Sequence, residues 1–394
     1  FMNFLKAVKN LGNKMKKILF LMLLLAGNAQ AQYIGTLPPN YEVAVIYSQD
    51  SDKFKAFTTY FGSTHESGFG ARFGISHYEG PQNLSTMETY YENSNGYAFN
   101  GAKSFTNTVS ANSQFLQLTF VDVNEKYNFH GAIGVRALDH STDTSNTTSA
   151  QAKALNDFTL ANGSPDPALS YAKNVDSKLG ANDGSLNGSR NVLIADAELR
   201  FQFTDKINGG VSFSTDIVES LRSIQTGTTY TYVGADADFV LAENVNFNIN
   251  VGDIYFSDGN NRLLVRIKLS WTFLPEYGIS TYLRTKNQTD SNPGSSNYYS
   301  PETLAQQAIG LQIRRLLNGL VYSAGAEYGE EQVNVFSRAS QSSSRSSTPI
   351  YAWRMGVQTN PVKNAGITYG ASLTGSNTSA INGGDQDYRW YGFT

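Results

Sequence analysis

Charged residues that alternate with apolar ones make up two consecutive runs of this sequence. Asp196, Glu198, Arg200, Asp216, Asp236 and Asp238 come first, a mostly acidic set, and Arg262, Arg266, Lys268, Arg284, Lys286 and Arg314 follow as a basic set. If strands carry them side by side around a water-filled interior, one arc of wall is acidic and the adjoining arc basic. Fixed charges so arranged produce a transverse field that orients polar solutes and sets ion preference. The competing reading is a wet wall balanced by local ion pairs. At matching positions Tyr232, Tyr282, Asn246, Asn248 and Asn250 add hydroxyls, amides and ring faces. Such groups exchange weak hydrogen bonds and stacking contacts with sugars.

Covalent chemistry finds little footing. Asp139-His140-Ser141 contains the residue types of a hydrolytic triad, but neighbours in the chain do not adopt nucleophile, base and orienter geometry. His65, His77 and His130 lack metal-ligand spacing, and the absence of cysteine excludes disulfides and thiolate metal sites. Asp258-Gly259-Asn260-Asn261 reads as a turn, because the other ligand positions of a calcium loop are missing. Neither an enzyme nor a cofactor is expected. Ser337 to Ser347 reads as a solvated low-complexity loop.

The elements that must position these residues are clearest from Arg262 to Lys286. Leu263, Val265, Ile267, Leu269, Trp271 and Phe273 share one parity, and Arg262, Arg266, Lys268, Ser270 and Thr272 the other. After Leu274-Pro275-Glu276 the alternation resumes, with Trp271, Phe273 and Tyr277 gathered at the turn end. A period of two marks strands with one oily and one wet face. Aromatic rings at strand ends fit a headgroup boundary, so the oily face is expected to meet lipid and the wet face to line a lumen.

Composition agrees. The 394 residues carry 16% charged side chains and a net charge of -3, which gives no basic excess for nucleic acid. No apolar run reaches the ~18 residues of a spanning helix, a test that barrel strands escape. Met15-Lys16-Lys17, an apolar run from Ile18 to Ala26, and small residues at Ala29 and Ala31 form a secretory signal peptide over residues 15–31. Residues 1–14 then read as upstream translated sequence, residues 32–40 as a periplasmic lead-in, and residues 41–394 as the barrel. The expected location is a Gram-negative outer membrane.

Tight turns at Asn124-Glu125-Lys126, Thr204-Asp205-Lys206, Ala242-Glu243-Asn244 and Leu317-Asn318-Gly319 alternate with long polar loops. That asymmetry is the one between the periplasmic and outer ends of a barrel. The fold class expected is all-β, a transmembrane antiparallel up-and-down barrel of about sixteen strands. The polar stretch Pro81 to Ala111 reads either as one long loop or as hiding another hairpin, which would make about eighteen. The loop Asp139 to Arg190, with Tyr171, Lys173, Asp176 and Lys178, either folds inward as a constriction or caps the outer mouth.

One segment resembles a known family. Asn297-Tyr298-Tyr299-Ser300-Pro301 precedes a strand ending at Arg314-Arg315, followed by LVYSAGAEYGEEQ. This is similar to the Gly-Tyr-Phe-Ser-Pro signature in the C-terminal barrel of the outer-membrane component of cellulose synthase, an exopolysaccharide export porin. The likeness covers about forty residues, Asn297 to Gln332, and departs at Asn297, Tyr299 and Gly310, where that family tends to have Gly, Phe and Pro. The long helical-repeat region of those exporters does not precede this barrel. The resemblance implies a polysaccharide-conducting pore, Tyr298, Tyr299, Ser300 and Pro301 at its mouth, and a separate chain as periplasmic export partner. Three functions remain open: passive translocation of polar solutes or polysaccharide, general diffusion of ions and small solutes, and a non-conducting barrel acting as adhesin or receptor. Outer-membrane lipid is the expected surrounding in each.

Overall fold

The computed structural model describes residues 40–50, 53–65, 67–93, 96–124, 126–143, 172–176, 187–295, 297–337, 341–359, 370–377 and 390–393. Asn40, placed in the expected lead-in, already belongs to a strand, while residues 32–39 of that lead-in and the stretch expected as signal peptide lie outside the described residues. So does most of the loop between Asp143 and Asn187, including the constriction expected there.

Among the described residues seventeen strands form one sheet. They are β1 (Asn40–Asp50), β2 (Lys55–Thr64), β3 (Phe69–Asn93), β4 (Gly96–Val123), β5 (Tyr127–Asp143), β6 (Ala172–Asp176), β7 (Asn187–Thr204), β8 (Ile207–Ile217) and β9 (Thr229–Ala242). After these come β10 (Val245–Phe256), β11 (Asn261–Leu274), β12 (Ile279–Asp290), β13 (Thr303–Leu317), β14 (Leu320–Ser337), β15 (Ser342–Thr359), β16 (Gly370–Ser376) and β17 (Trp390–Phe393). One short helix, α1 (Leu221–Thr226), lies between β8 and β9.

Consecutive strands pair antiparallel, except that β5 pairs with β7 and β6 lies on the outer part of β3. The order returns on itself where β17 pairs with β1, from Tyr47↔Phe393 to Asp50↔Trp390. With β6 set aside, sixteen strands make the ring. A ring that returns on itself is what a chain in lipid requires, because no water is there to satisfy backbone groups along an open sheet edge.

The stretch 81–111 adds no strands to the ring. It prolongs β3 and β4 as one hairpin, paired from Phe69↔Phe120 out to Asn93↔Gly96, with β6 against Ser85–Thr89. The serine-rich stretch expected as a loop is likewise strand: Ser342 to Ser347 pairs with Ser337 to Gln332. Serine has modest strand propensity, but here a partner already held by the barrel supplies every backbone bond, and neighbours outweigh propensity.

The tight turns and Asn40 lie at one end of the ring. At the Asn318-Gly319 turn both residues have positive φ, 51° and 81°, a two-residue geometry whose twist matches that of the strands. Aromatic pairs sit beside these turns: Tyr41–Phe61, Phe69–Phe120, Phe201–Phe203, Phe239–Phe247 and Trp271–Phe273, with ring centroids 4.7 to 6.0 Å apart. Between the ends, Leu263, Leu269, Leu283, Ile309, Leu311 and Met355 are exposed on the outside. Toward the other end Tyr328 and Tyr351 stand opposite each other, both exposed. Beyond them the outside turns polar, with Ser347 donating to Glu330 and Arg345 to Gln332. An apolar band between aromatic girdles is the outer surface of a transmembrane barrel.

Candidate functional site: the barrel interior

At the outer end two segments fold against the interior face. The first is α1. Ser220 caps it by accepting from the Ser223 N–H at 3.1 Å, and Gly227, at φ 75°, ends it. Ile224 is fully buried against Tyr78, Ala111, Leu138 and Ile217, residues of β3, β4, β5 and β8. Gln225 donates to Thr142 Oγ1 at 2.8 Å, and Arg190 of β7 donates to the Gln225 carbonyl at 2.5 Å. The helix leaves β8 yet packs on β3 and β4, so it reaches across the inside of the ring.

The second segment, residues 291–302, contains the Tyr-Tyr-Ser-Pro motif. Tyr298 stacks on Phe256 with ring centroids 4.1 Å apart and donates to Asp258 at 3.0 Å. Asn260 donates to the Tyr298 hydroxyl at 3.1 Å and to Ser300 at 3.2 Å. Burial raises the pKa of the Tyr298 phenol, with the Asp258 carboxylate adding to the effect. Arg262 holds Asp290 by two bonds of 2.7 and 2.8 Å and donates to the Tyr299 carbonyl at 2.5 Å. Tyr298, Ser300 and Pro301 are therefore buried, folded down onto the wall rather than standing free at the mouth. Both segments meet at Asn297, whose carbonyl accepts from Ser220 and Ser223 at 2.5 and 2.9 Å and whose amide donates to Thr228 at 3.0 Å.

The two charge sectors are both present, and each contains its own counter-charges. Arg200 lies within reach of Glu198, Asp236 and Asp238 at 3.2, 3.0 and 2.6 Å, and Asn248 donates to Asp238 at 2.7 Å. Asp216 is held by buried Arg136 through bonds of 2.9 and 2.6 Å, and His130 lies 3.3 Å from Asp196. In the basic sector Arg284 is paired with Glu327 and donates to Gln306 at 3.1 Å. Tyr282 also donates to Glu327, at 2.9 Å, while Lys268 covers its ring from 4.2 Å. Arg314 is exposed near the tight-turn end, and its N–H donates to the Gly278 carbonyl at 2.9 Å.

Strand register places one rung of side chains in line across the wall: Asp236, Asn250, Arg266, Lys286, Gln306 and Glu331 on β9 to β14. Beside it lies Asp238, Asn248, Lys268, Arg284 and Ala308. The rung Asn246, Ser270, Tyr282, Gly310 and Glu327 follows. A Cβ added at Gly310 would come within 2.2 Å of the Tyr282 ring. Gly310 is thus the seat of that ring, which accounts for a glycine where the resembling family tends to have proline. Tyr282 is accordingly 9% exposed, much less open to a solute than its position in sequence implies. Tyr232 lies similarly across Gly252, with its hydroxyl accepting from Asn250 at 3.4 Å.

Asp139, His140 and Ser141 sit on β5, where His140 points inward and Ser141 is exposed and within 3.0 Å of Ser110. A strand sends neighbours to opposite faces, so the triplet is divided. Among the described residues no group of three metal-ligating side chains gathers. The residues that reading the sequence missed are α1 and the partners Arg136, Asp290, Glu327 and Glu331. Glu327 and Glu331 carry the alternation signal, since they occupy the interior parity of LVYSAGAEYGEEQ.

No protein-family model matches the chain, and no curated protein matches it. Solved structures do. A bacterial polysaccharide outer membrane secretin superposes at TM-score 0.53 with 10% identity, over 90% of this chain and 96% of that one. The CymD monoaromatic hydrocarbon channel gives 0.40 at 13% identity, over 91% and 87%. OprD of Pseudomonas aeruginosa gives 0.36 at 8% identity, over 93% and 97%. With the secretin's likeness, the ring and its apolar band define the class by fold: the chain is a transmembrane up-and-down β-barrel.

Proposed function

We propose that the barrel is a pore for passive translocation of polar solutes, narrowed at its outer end by α1 and residues 291–302, and that its cargo is a polysaccharide chain. The observation that carries this is the set of registered rungs of Asn, Gln, Arg, Lys and carboxylate side chains on the interior of β9 to β14. Conduction needs many weak sites rather than one tight one, and rungs of amides and paired charges supply them. The resemblance of Asn297 to Pro301 to an export porin favours a glycan. In this reading residues 15–31 are removed after Ala31, outer-membrane lipid surrounds the apolar band, and a separate periplasmic chain delivers the cargo. A diffusion porin for ions and small solutes is the second reading, favoured by the unequal charge of the two sectors.

Planar-bilayer recording tests the pore. The purified protein should give steady conductance, and replacing residues 219–227 with a short Gly-Ser linker should raise it. A parent and a shortened form that are both silent would mean a non-conducting barrel. Flux of oligosaccharides of increasing length separates the readings, since a diffusion porin shows a sharp size limit and a polysaccharide path does not.

A further inference from the structure

On the interior of β11 and β12 like charges stand directly opposite one another: Arg266 against Lys286, and Lys268 against Arg284. Cross-strand partners have Cβ atoms about 4.5–5.5 Å apart, and like charges so placed repel. Two of the four are relieved, Arg284 by Glu327 and Lys268 by the Tyr282 ring. For Arg266 and Lys286, no carboxylate lies within ion-pair distance among the described residues. Their neighbours in the rung are amides, Asn250 beside Arg266 and Gln306 beside Lys286. Of the acids one strand further out, Asp236 pairs with Arg200 at 3.0 Å, and Glu331 accepts from the Gln306 amide while attracting Lys286 from beyond ion-pair distance.

Two cations that face each other without an ion pair, beside Asn250 and the Tyr232 hydroxyl, make an oxyanion site with sugar-binding groups at its edge. We propose that Arg266 and Lys286 bind carboxylates carried on the sugar units of the solute, so that the cargo is an acidic glycan. This rests on the pore reading for the word cargo, though not for binding itself. Cations alone would serve for a bare phosphate. The adjoining amides and hydroxyl are what a sugar ring next to its carboxylate would use.

Calorimetric titration of the detergent-solubilised barrel at low salt with trigalacturonate, maltotriose and inorganic phosphate tests this. Trigalacturonate should bind about tenfold more tightly than either of the others, and R266Q/K286Q should remove about that factor. The double variant should melt no lower than the parent, since like-charge repulsion is relieved, and the single variant K286Q serves if the double fails to assemble. Equal binding of trigalacturonate and maltotriose, phosphate matching trigalacturonate, or preference unchanged in the variants would overturn the site. A silent bilayer with variant-sensitive trigalacturonate binding would refute the pore and leave the site. Steady conductance without that preference would refute the site alone.

Discussion

Removing Asp290 should cost far more than removing Asp290 and Arg262 together. Their side chains are 0% and 5% exposed, so water screens this pair little and no discount for surface exposure applies. Asp290 accepts two bonds from the guanidinium, which also donates to the Tyr299 carbonyl and lies 5.1 Å from the Phe256 ring. D290A leaves a buried cation with one carbonyl for company, and stranding a buried charge costs roughly 3–5 kcal/mol. D290N keeps the shape and one neutral acceptor but turns the other into an N–H facing a guanidinium N–H, so about 1.5–3 kcal/mol, the scale of a lost charged hydrogen bond, is expected. R262M/D290L removes both charges and should fall within ~1 kcal/mol of the parent, since apolar replacement of a buried pair is often neutral. Denaturant unfolding in detergent, followed by Trp fluorescence, gives the ranking. Limited proteolysis within residues 291–302 gives its local counterpart, because Tyr299 is tied to the wall by the same guanidinium. If D290A lost under ~1 kcal/mol, or the double variant lost as much as D290A, the account of this pair as a buried latch would be wrong.

Other consequences follow from the same wall. G310A places a methyl 2.2 Å from the Tyr282 ring and should cost about 1–3 kcal/mol in unfolding, with much of it returned by a second change, Tyr282→Ala. R266E/K268E/R284E should shift the reversal potential in a salt gradient toward cations, and an unmoved potential would mean that this arc does not line the path. Burial raises the folded pKa of Tyr298 above its unfolded value, so its contribution is complete below about pH 10 and falls as the pH rises past it. Phenolate absorbance and cleavage within residues 291–302 should then rise together above that pH, and Y298F should uncouple them.

Alternation made the wall legible. Val245, Phe247, Ile249 and Val251 against Asn246, Asn248 and Asn250 left no doubt which face of β10 was wet, and the tight turns gave the strand ends. The period of two says nothing about partners across strands, however. Arg262 and Asp290 are 28 residues apart, and only the register of β11 on β12 brings them together. The same limit made the basic arc look uniform, although Glu327 and Glu331 interrupt it from β14. Polar composition misled at 81–111 and at Ser342 to Ser347, where low apolar content marks strand beyond the lipid band rather than loop. α1 escaped notice because six residues carry too little periodicity, although the Ser220 cap and the Gly227 stop flank it.

The chain has no cysteine, so single cysteines can be placed at will. Spin labels at Leu263, Leu283 and Ile309 in reconstituted vesicles should be relaxed by oxygen, which concentrates in lipid, and labels at Arg266, Lys286 and Gln306 by a water-soluble nickel chelate. If both sets responded alike, or if Leu283 were shielded from lipid, the closed cylinder with an oily outside and a wet inside would have to be given up.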